Sequence, residues 1–206
     1  MTAKIKLNSA SGGGSFSLQA PSSSSNNRVF TLPDLADATL LTTNTATGKI
    51  LSVQQGVTTA TSSYSTGSST LSDSYFDISG LSVTLTPSSG TKCYVSYTVN
   101  VGGQSGYGQG LALFRDSTQI YLADASGSIF RGSNYDYSAN NDKIDTMAGQ
   151  FLDTHGADGS TAVTYKIQIY VAQPGYTSRV NRAQSTGDNR TYGRCASQIT
   201  VMDVAA

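Results

Sequence analysis

Along residues 92–101 the chain alternates almost without a break. Cys93, Val95, Tyr97, Val99 and Val101 fall on one face, and Lys92, Tyr94, Ser96, Thr98 and Asn100 on the other. Period-two alternation of β-branched and aromatic residues with polar ones predicts a strand with one face in a core. Residues 163–172 repeat the pattern, with Val163, Tyr165, Ile167, Ile169 and Val171 opposite Thr164, Lys166, Gln168 and Tyr170. Two half-polar strands so far apart in the chain predict an antiparallel sandwich or barrel, because strands of a parallel sheet are apolar on both faces.

The same signal, with its punctuation, divides the rest. Residues 75–206 read as one β domain of about eight strands, within ordinary domain size. Phe76 and Ile78 open it, and Leu81, Val83 and Leu85 alternate with Ser82, Thr84 and Thr86 before a turn at 87–90. After the 92–101 strand comes a glycine-rich connection, 102–110 (GGQSGYGQG), then a short hairpin of 110–115 with 119–122. A long polar stretch, 124–145, precedes a strand at 146–152 and a turn at 153–160. Residues 163–172 and 176–182 are expected to form a hairpin around Pro174 and Gly175, with 183–193 a loop. In the closing strand, 194–204, the apolar residues Ile199, Val201, Met202 and Val204 do not alternate cleanly, as in a strand covered on both faces.

Upstream, short strand-like pieces lie around Phe16 and Leu18, around Val29, Phe30 and Leu32, at 38–41 and at 49–53. These hold too few apolar residues for a core of their own, so residues 1–56 are expected to pack on another copy or a larger assembly. The Ser/Thr/Gly tract 57–74 cannot bury enough apolar surface to offset its ordering entropy and reads as a linker.

Composition supports all-β. Every acidic residue is Asp, Lys is scarce, and Ser, Thr, Gly and Tyr are abundant, so the residues of exposed helix surface are missing. Formal net charge is zero, which provides no general attraction to nucleic acid or anionic membrane. Arg179, Arg182, Arg190 and Arg194 nonetheless cluster near the C-terminus, as a solvated face or an intersubunit rim. No apolar run approaches the roughly 20 residues of a membrane-spanning helix. The first residues lack the apolar segment of a signal peptide. Cys93 and Cys195 form neither a disulfide framework nor a zinc site; the expectation is two buried thiols, with a bridge open if their strands are neighbours.

Groups for catalysis are few. His155 is the only histidine, and any Ser-His-Asp site would have to use it with Asp153 or Asp158; its turn-like setting reads as an exposed loop. The nucleophile-elbow and zinc-protease patterns are absent. No enzyme activity, cofactor or metal is expected. Asp136, Asn140, Asn141 and Asp142 offer oxygen ligands for calcium without the ordered spacing of a calcium loop. The 102–110 glycines lack the Lys-Ser/Thr and the helix that a phosphate cradle needs.

A binding surface is the better candidate. Loop 128–141 (SIFRGSNYDYSANN) sets Phe130, Arg131, Tyr135 and Tyr137 among polar donors and acceptors, the mixture of adaptable recognition surfaces. The alternative is a long loop that packs its aromatics on its own sheet. Tyr94 and Tyr170 stand on the outward sides of the two best strands and, with Met202, are candidates for a subunit interface.

Two stretches carry a resemblance. Residues 9–43 (SASGGGSFSLQAPSSSSNNRVFTLPDLADATLLTT) resemble a segment at the start of tail-fibre and other virion proteins of tailed bacteriophages, notably cyanophages and other marine phages. Residues 161–204 (TAVTYKIQIYVAQPGYTSRVNRAQ…RCASQITVMDV) resemble the end of jelly-roll domains on similar phage proteins, and the strand order looks like the trimeric TNF/C1q-type jelly roll. The resemblance implies a non-enzymatic structural protein of the virion surface, a homotrimer. Residues 1–56 would attach to other virion proteins, and a jelly-roll head would be exposed to a host-surface glycan. A tail-fibre or receptor-binding role, a capsid-decorating role and a carbohydrate-binding module are the open alternatives, with a glycan depolymerase behind them. The chain lacks a long coiled-coil or β-helical shaft, which argues against a long distal fibre.

Overall fold

The computed structural model describes residues 4–8, 11, 13, 15–19, 50–66, 75–187, 190 and 192–205. The chain divides into two units, Met1–Thr42 and Thr43–Ala206. In the first, β1 (Lys4–Asn8) and β2 (Ser15–Gln19) pair antiparallel, Lys4 opposite Gln19 and Asn8 opposite Ser15. The expected segments at 29–32 and 38–41 lie outside the described residues.

The second unit contains β3 (Ile50–Thr58), β4 (Ser62–Ser65), β5 (Tyr75–Leu85), β6 (Lys92–Gly102), β7 (Tyr107–Arg115) and β8 (Thr118–Ile120). It continues with β9 (Asn134–Ser138), β10 (Asp145–Asp153), β11 (Val163–Val171), β12 (Thr177–Val180) and β13 (Ser197–Val204). These form an all-β sandwich of two antiparallel sheets. One has the order β3-β13-β6-β12-β4, with β10 on the free side of β6; the other is β5-β11-β7-β8, with β9 also on β7. No described helix is long and apolar enough to cross a membrane.

The two alternating strands organise the core. The inward residues Val95, Tyr97, Val99 and Val101 of β6, with Ile199 and Val201 of β13, meet Leu81, Leu111, Leu113, Tyr165, Ile167 and Ile169 of the facing sheet, all buried. Removing such side chains from water contributes roughly 1.5–3 kcal/mol each. At one end this core turns polar. Asp153, Cys93 and Asp203 lie in one inward row across β10, β6 and β13. Arg115 Nη1 holds the Asp153 carboxylate at 2.9 and 2.8 Å, and the Tyr165 hydroxyl donates to it at 2.6 Å. Asp203 accepts the Ser88 amide at 3.0 Å. Burial, and after it the Asp203 and Asp153 charges, push the Cys93 thiol up against the pull of its hydrogen bond with Tyr165. Cys93 is buried, Cys195 is half-buried, and both thiols are free.

Four expectations need correction. The tract 57–74 does not begin as a linker: β3 runs to Thr58 and pairs with β13 along its length, and β4 pairs with β12. Tyr64 anchors β4 by packing on Phe76, ring centroids 5.8 Å apart. Residues 67–74 lie outside the described residues. Residues 163–172 and 176–182 are not a hairpin, since β11 pairs with β5 and β7 whereas β12 pairs with β4 and β6; the Pro174–Gly175 turn passes the chain between sheets. The glycine-rich run is mostly strand, with β6 reaching Gly102 and β7 starting at Tyr107. Finally, β13 does alternate: Ser197, Ile199, Val201 and Asp203 are buried, and Met202 and Val204 are half-buried on the outward face. Its inward polar residues, Ser197 and Asp203, mask the period.

Candidate functional site

The outer face of the five-stranded sheet is built around two missing side chains. On β7 the outward positions include Gly108 and Gly110, and β9 lies antiparallel beside them, with Tyr135 opposite Gly110 and Tyr137 opposite Gly108. With no Cβ in the way, rings lie directly on the β7 backbone. A Cβ added to Gly108 would collide with the Tyr135 ring, and one on Gly110 with Phe130. Phe130 is thereby seated between Tyr135, at 6.0 Å, and Tyr170 of β11, on which it stacks at 4.3 Å and 18°. Tyr75 of β5 adjoins Tyr170 at 5.5 Å and meets the Phe114 edge at 5.9 Å. The result is a continuous row of five rings, Phe114, Tyr75, Tyr170, Phe130 and Tyr135, across β7, β5, β11, the 121–133 loop and β9.

The loop is fastened at several points. The Ser133 amide donates to the Leu111 carbonyl at 2.8 Å, and Ser133 Oγ accepts the Leu113 amide at 3.1 Å. Asn134 accepts the Tyr97 hydroxyl at 2.6 Å and donates to the Ala148 carbonyl at 3.0 Å. Arg131 Nε donates to the Ala123 carbonyl at 2.8 Å, and the Arg131 carbonyl accepts from Gln119 Nε2 at 2.7 Å. Over the three middle rings of the row opens a groove of 690 Å³ whose lining includes Tyr75, Tyr170, Phe130, Arg131, Gln119 and Ile129, with Tyr135 beside it. That volume lies in the range of small-ligand sites. Ile129 is 68% exposed, an apolar residue at the groove edge. The negative faces of aromatic rings attract weakly positive C–H groups. A row of rings under a polar rim therefore suits a flat ligand with C–H on its faces and hydroxyls on its edges, which describes a pyranose sugar.

The structure brings together Phe130, Arg131 and Tyr135 of the expected contact set. Tyr137 is 62% exposed on the same face, outside these ring pairs among the described residues. The loop packs Phe130 on its own sheet, and Tyr135 and Tyr137 beside it on β9 are exposed. Tyr170 belongs to this row and not beside Tyr94. Tyr94 and Met202 are on the other sheet, side by side in a register row that runs Leu152, Tyr94, Met202, Val53 across β10, β6, β13 and β3. The three interface candidates therefore occupy two opposite faces, because alternation places a residue outward without saying on which sheet. Leu152, Val53 and nearby Ile50 are 51%, 50% and 55% exposed, which makes this row the apolar stripe of the outer face.

The other candidates are dispersed. His155 Nδ1 accepts the Ala157 amide at 2.9 Å and Nε2 lies 3.4 Å from Thr91 Oγ1, while Asp153 is engaged by Arg115 and Tyr165. Asp158 accepts the Ser160 and Thr161 amides, which hold its carboxyl well below the usual range. Asn140 and Asn141 oxygens accept the Asp142 and Ser105 amides, and no metal-ligating group forms among the described residues. Compared with known proteins, the chain matches no protein-family model and no curated sequence.

Proposed function

We propose that the chain is a non-enzymatic structural protein of a tailed-bacteriophage particle, of the tail-fibre or receptor-binding type, whose sandwich binds a host-surface glycan along the Phe130 groove. The virion placement, the attachment through the N-terminal region and the jelly-roll connectivity rest on the resemblance of residues 9–43 and 161–204; of the expected attachment region 1–56, residues 50–56 belong instead to β3 of the sandwich. The observation that carries the glycan reading is the stacked Phe130–Tyr170 pair at the floor of a 690 Å³ groove. Binding of bacterial surface polysaccharides to the full-length protein tests it. Replacing Phe130 and Tyr135 by Ala removes the binding; unchanged binding refutes the site.

The apolar row Leu152, Tyr94, Met202, Val53 favours a companion reading, that copies of the chain cover this face in a homotrimer. Light scattering after size exclusion on the full-length protein gives a trimer mass, and Tyr94→Ser with Val53→Ser lowers it. A wild-type monomer contradicts this part. A capsid-decorating role shares the same assembly and differs in where residues 1–56 attach, which labelling of intact particles decides.

A further inference from the structure

The Phe130 groove leaves unused a cluster of arginines on the other sheet. Arg179 faces outward on β12, opposite Gly102, while its neighbour Val180 is buried opposite Val101. Arg182 and Arg194 face each other in an isolated antiparallel bridge. None of the three makes an ion pair among the described residues, where the ion pairs are Arg115–Asp153, Lys143–Asp145 and Lys166–Asp77. Each is instead positioned by neutral acceptors. Arg179 donates from Nε to Gln184 Oε1 at 2.7 Å and from Nη1 to Ser63 Oγ at 2.6 Å. Arg182 Nε donates to the Ala183 carbonyl at 3.3 Å, and Arg194 Nη1 to Thr61 Oγ1 at 3.1 Å. The three are neighbours in the fold, since Arg182 bridges Arg194 while Thr61 and Ser63, which hold Arg194 and Arg179, are two residues apart; burial first, then Arg179 and Arg194, lower the hold of Arg182 on its proton.

The platform beneath is rigid. Asn181 is fully buried and sits in the left-handed region at φ 63°. Its amide donates to the Asn100 carbonyl at 2.8 Å, and its carbonyl accepts the Cys195 amide at 3.2 Å. Its side chain donates to the Thr58 and Ala60 carbonyls at 2.8 and 3.0 Å and accepts from Ser197 Oγ at 2.6 Å. One residue thus ties together the β3–β4 corner, β6, β12 and the start of β13. Like charges held together with no counter-charge among the described residues are unfavourable alone and favourable around an anion. The planar guanidinium fork matches oxyanions bidentately, and pre-positioning lowers the entropy lost on binding.

We propose that Arg179, Arg182 and Arg194 form a second binding site, for an oxyanion group, sulfate, phosphate or carboxylate, carried on an acidic polysaccharide. It rests on the reading of the chain as a glycan-binding protein, but on a different face. The test is calorimetric titration of the full-length protein with a sulfated oligosaccharide, its desulfated counterpart, and inorganic sulfate and phosphate, at low and at physiological salt. The sulfated form binds, the desulfated form binds at least tenfold more weakly here, and added salt weakens the interaction. Arg182→Gln with Arg194→Gln reduces affinity for the sulfated form at least tenfold. The single exposed variant Arg194→Gln, with an unchanged melting curve, reduces it in the same direction. Phe130→Ala leaves this loss unaltered, so failure here and failure of the groove are separable. Equal affinity of wild type and variants overturns the proposal, as does binding of the inorganic ions without the oligosaccharide. A change in oligomer mass on Arg substitution without a change in anion affinity assigns the cluster to a protein interface and also overturns it.

Discussion

Replacing Asp153 by Ala tests how the polar end of the core is held. Asp153 is 5% exposed and accepts from Arg115 and from Tyr165, itself fully buried. Truncation leaves the Tyr165 hydroxyl only the weakly bonding Cys93 thiol in a dry core, which costs about 1–3 kcal/mol. Arg115 loses its counter-ion, but its side chain is 26% exposed and its Nη1 also donates to the Thr154 carbonyl at 3.3 Å, so water and that carbonyl soften the loss. Breaking a fully buried pair costs about 3–5 kcal/mol; with this softening the expected total is about 2–4 kcal/mol. Tyr165→Phe removes the hydroxyl and leaves the Arg115–Asp153 pair in place, for about 1.5–3 kcal/mol, the range of a hydrogen bond to a charged group. The double variant is less costly than the sum by about 1 kcal/mol, because Phe removes the hydroxyl that Asp153→Ala deprives of its strong acceptor. Urea unfolding at fixed protein concentration measures all three. Strict additivity, or a loss below about 1 kcal/mol for Asp153→Ala, refutes the reasoning.

Other consequences are as direct. Gly110→Val puts a side chain where the Phe130 ring lies, so groove binding falls while the melting temperature moves less than for a core substitution; titration with glycan beside a thermal melt checks it. Asn181→Ala removes a fully buried hub and places Ala at φ 63°, for a loss of about 3 kcal/mol or more by urea unfolding. Alkaline pH destabilises the fold. Burial pushes Tyr97 up to about 12. Burial, then the hydrogen bond to Asp153, raise Tyr165 further. Both fold in the neutral form, so their contribution is complete below the unfolded tyrosine value of about 10 and is lost above it, by up to about 1.4 kcal/mol per pH unit per group. Unfolding measured from pH 8 to 12 shows this slope, and Tyr165→Phe reduces it.

What the sequence disclosed follows from where period-two alternation is strong. β6 and β11 have five apolar residues on one face, and both sheets grow from them. β4 and β9, SSYS and NYDYS, are short polar strands anchored by aromatics, and nothing local separates them from loops. The Pro174–Gly175 turn announces a reversal without saying whether the next strand joins the same sheet. The groove was half visible: Phe130, Arg131 and Tyr135 stand out in a polar loop, but Tyr75, Phe114 and Tyr170 reach the row only through sheet order. The missed signal was the spacing of Gly108 and Gly110, two glycines on one face of a strand, which marks a surface where rings rest on backbone.

The most direct test of the central claim is retention of full-length wild type and the Phe130→Ala, Tyr135→Ala variant on an array of bacterial surface polysaccharides. Wild type is retained on at least one polysaccharide, and the variant, with an unchanged melting curve, is not. Retention of both proteins alike, or of neither, contradicts it.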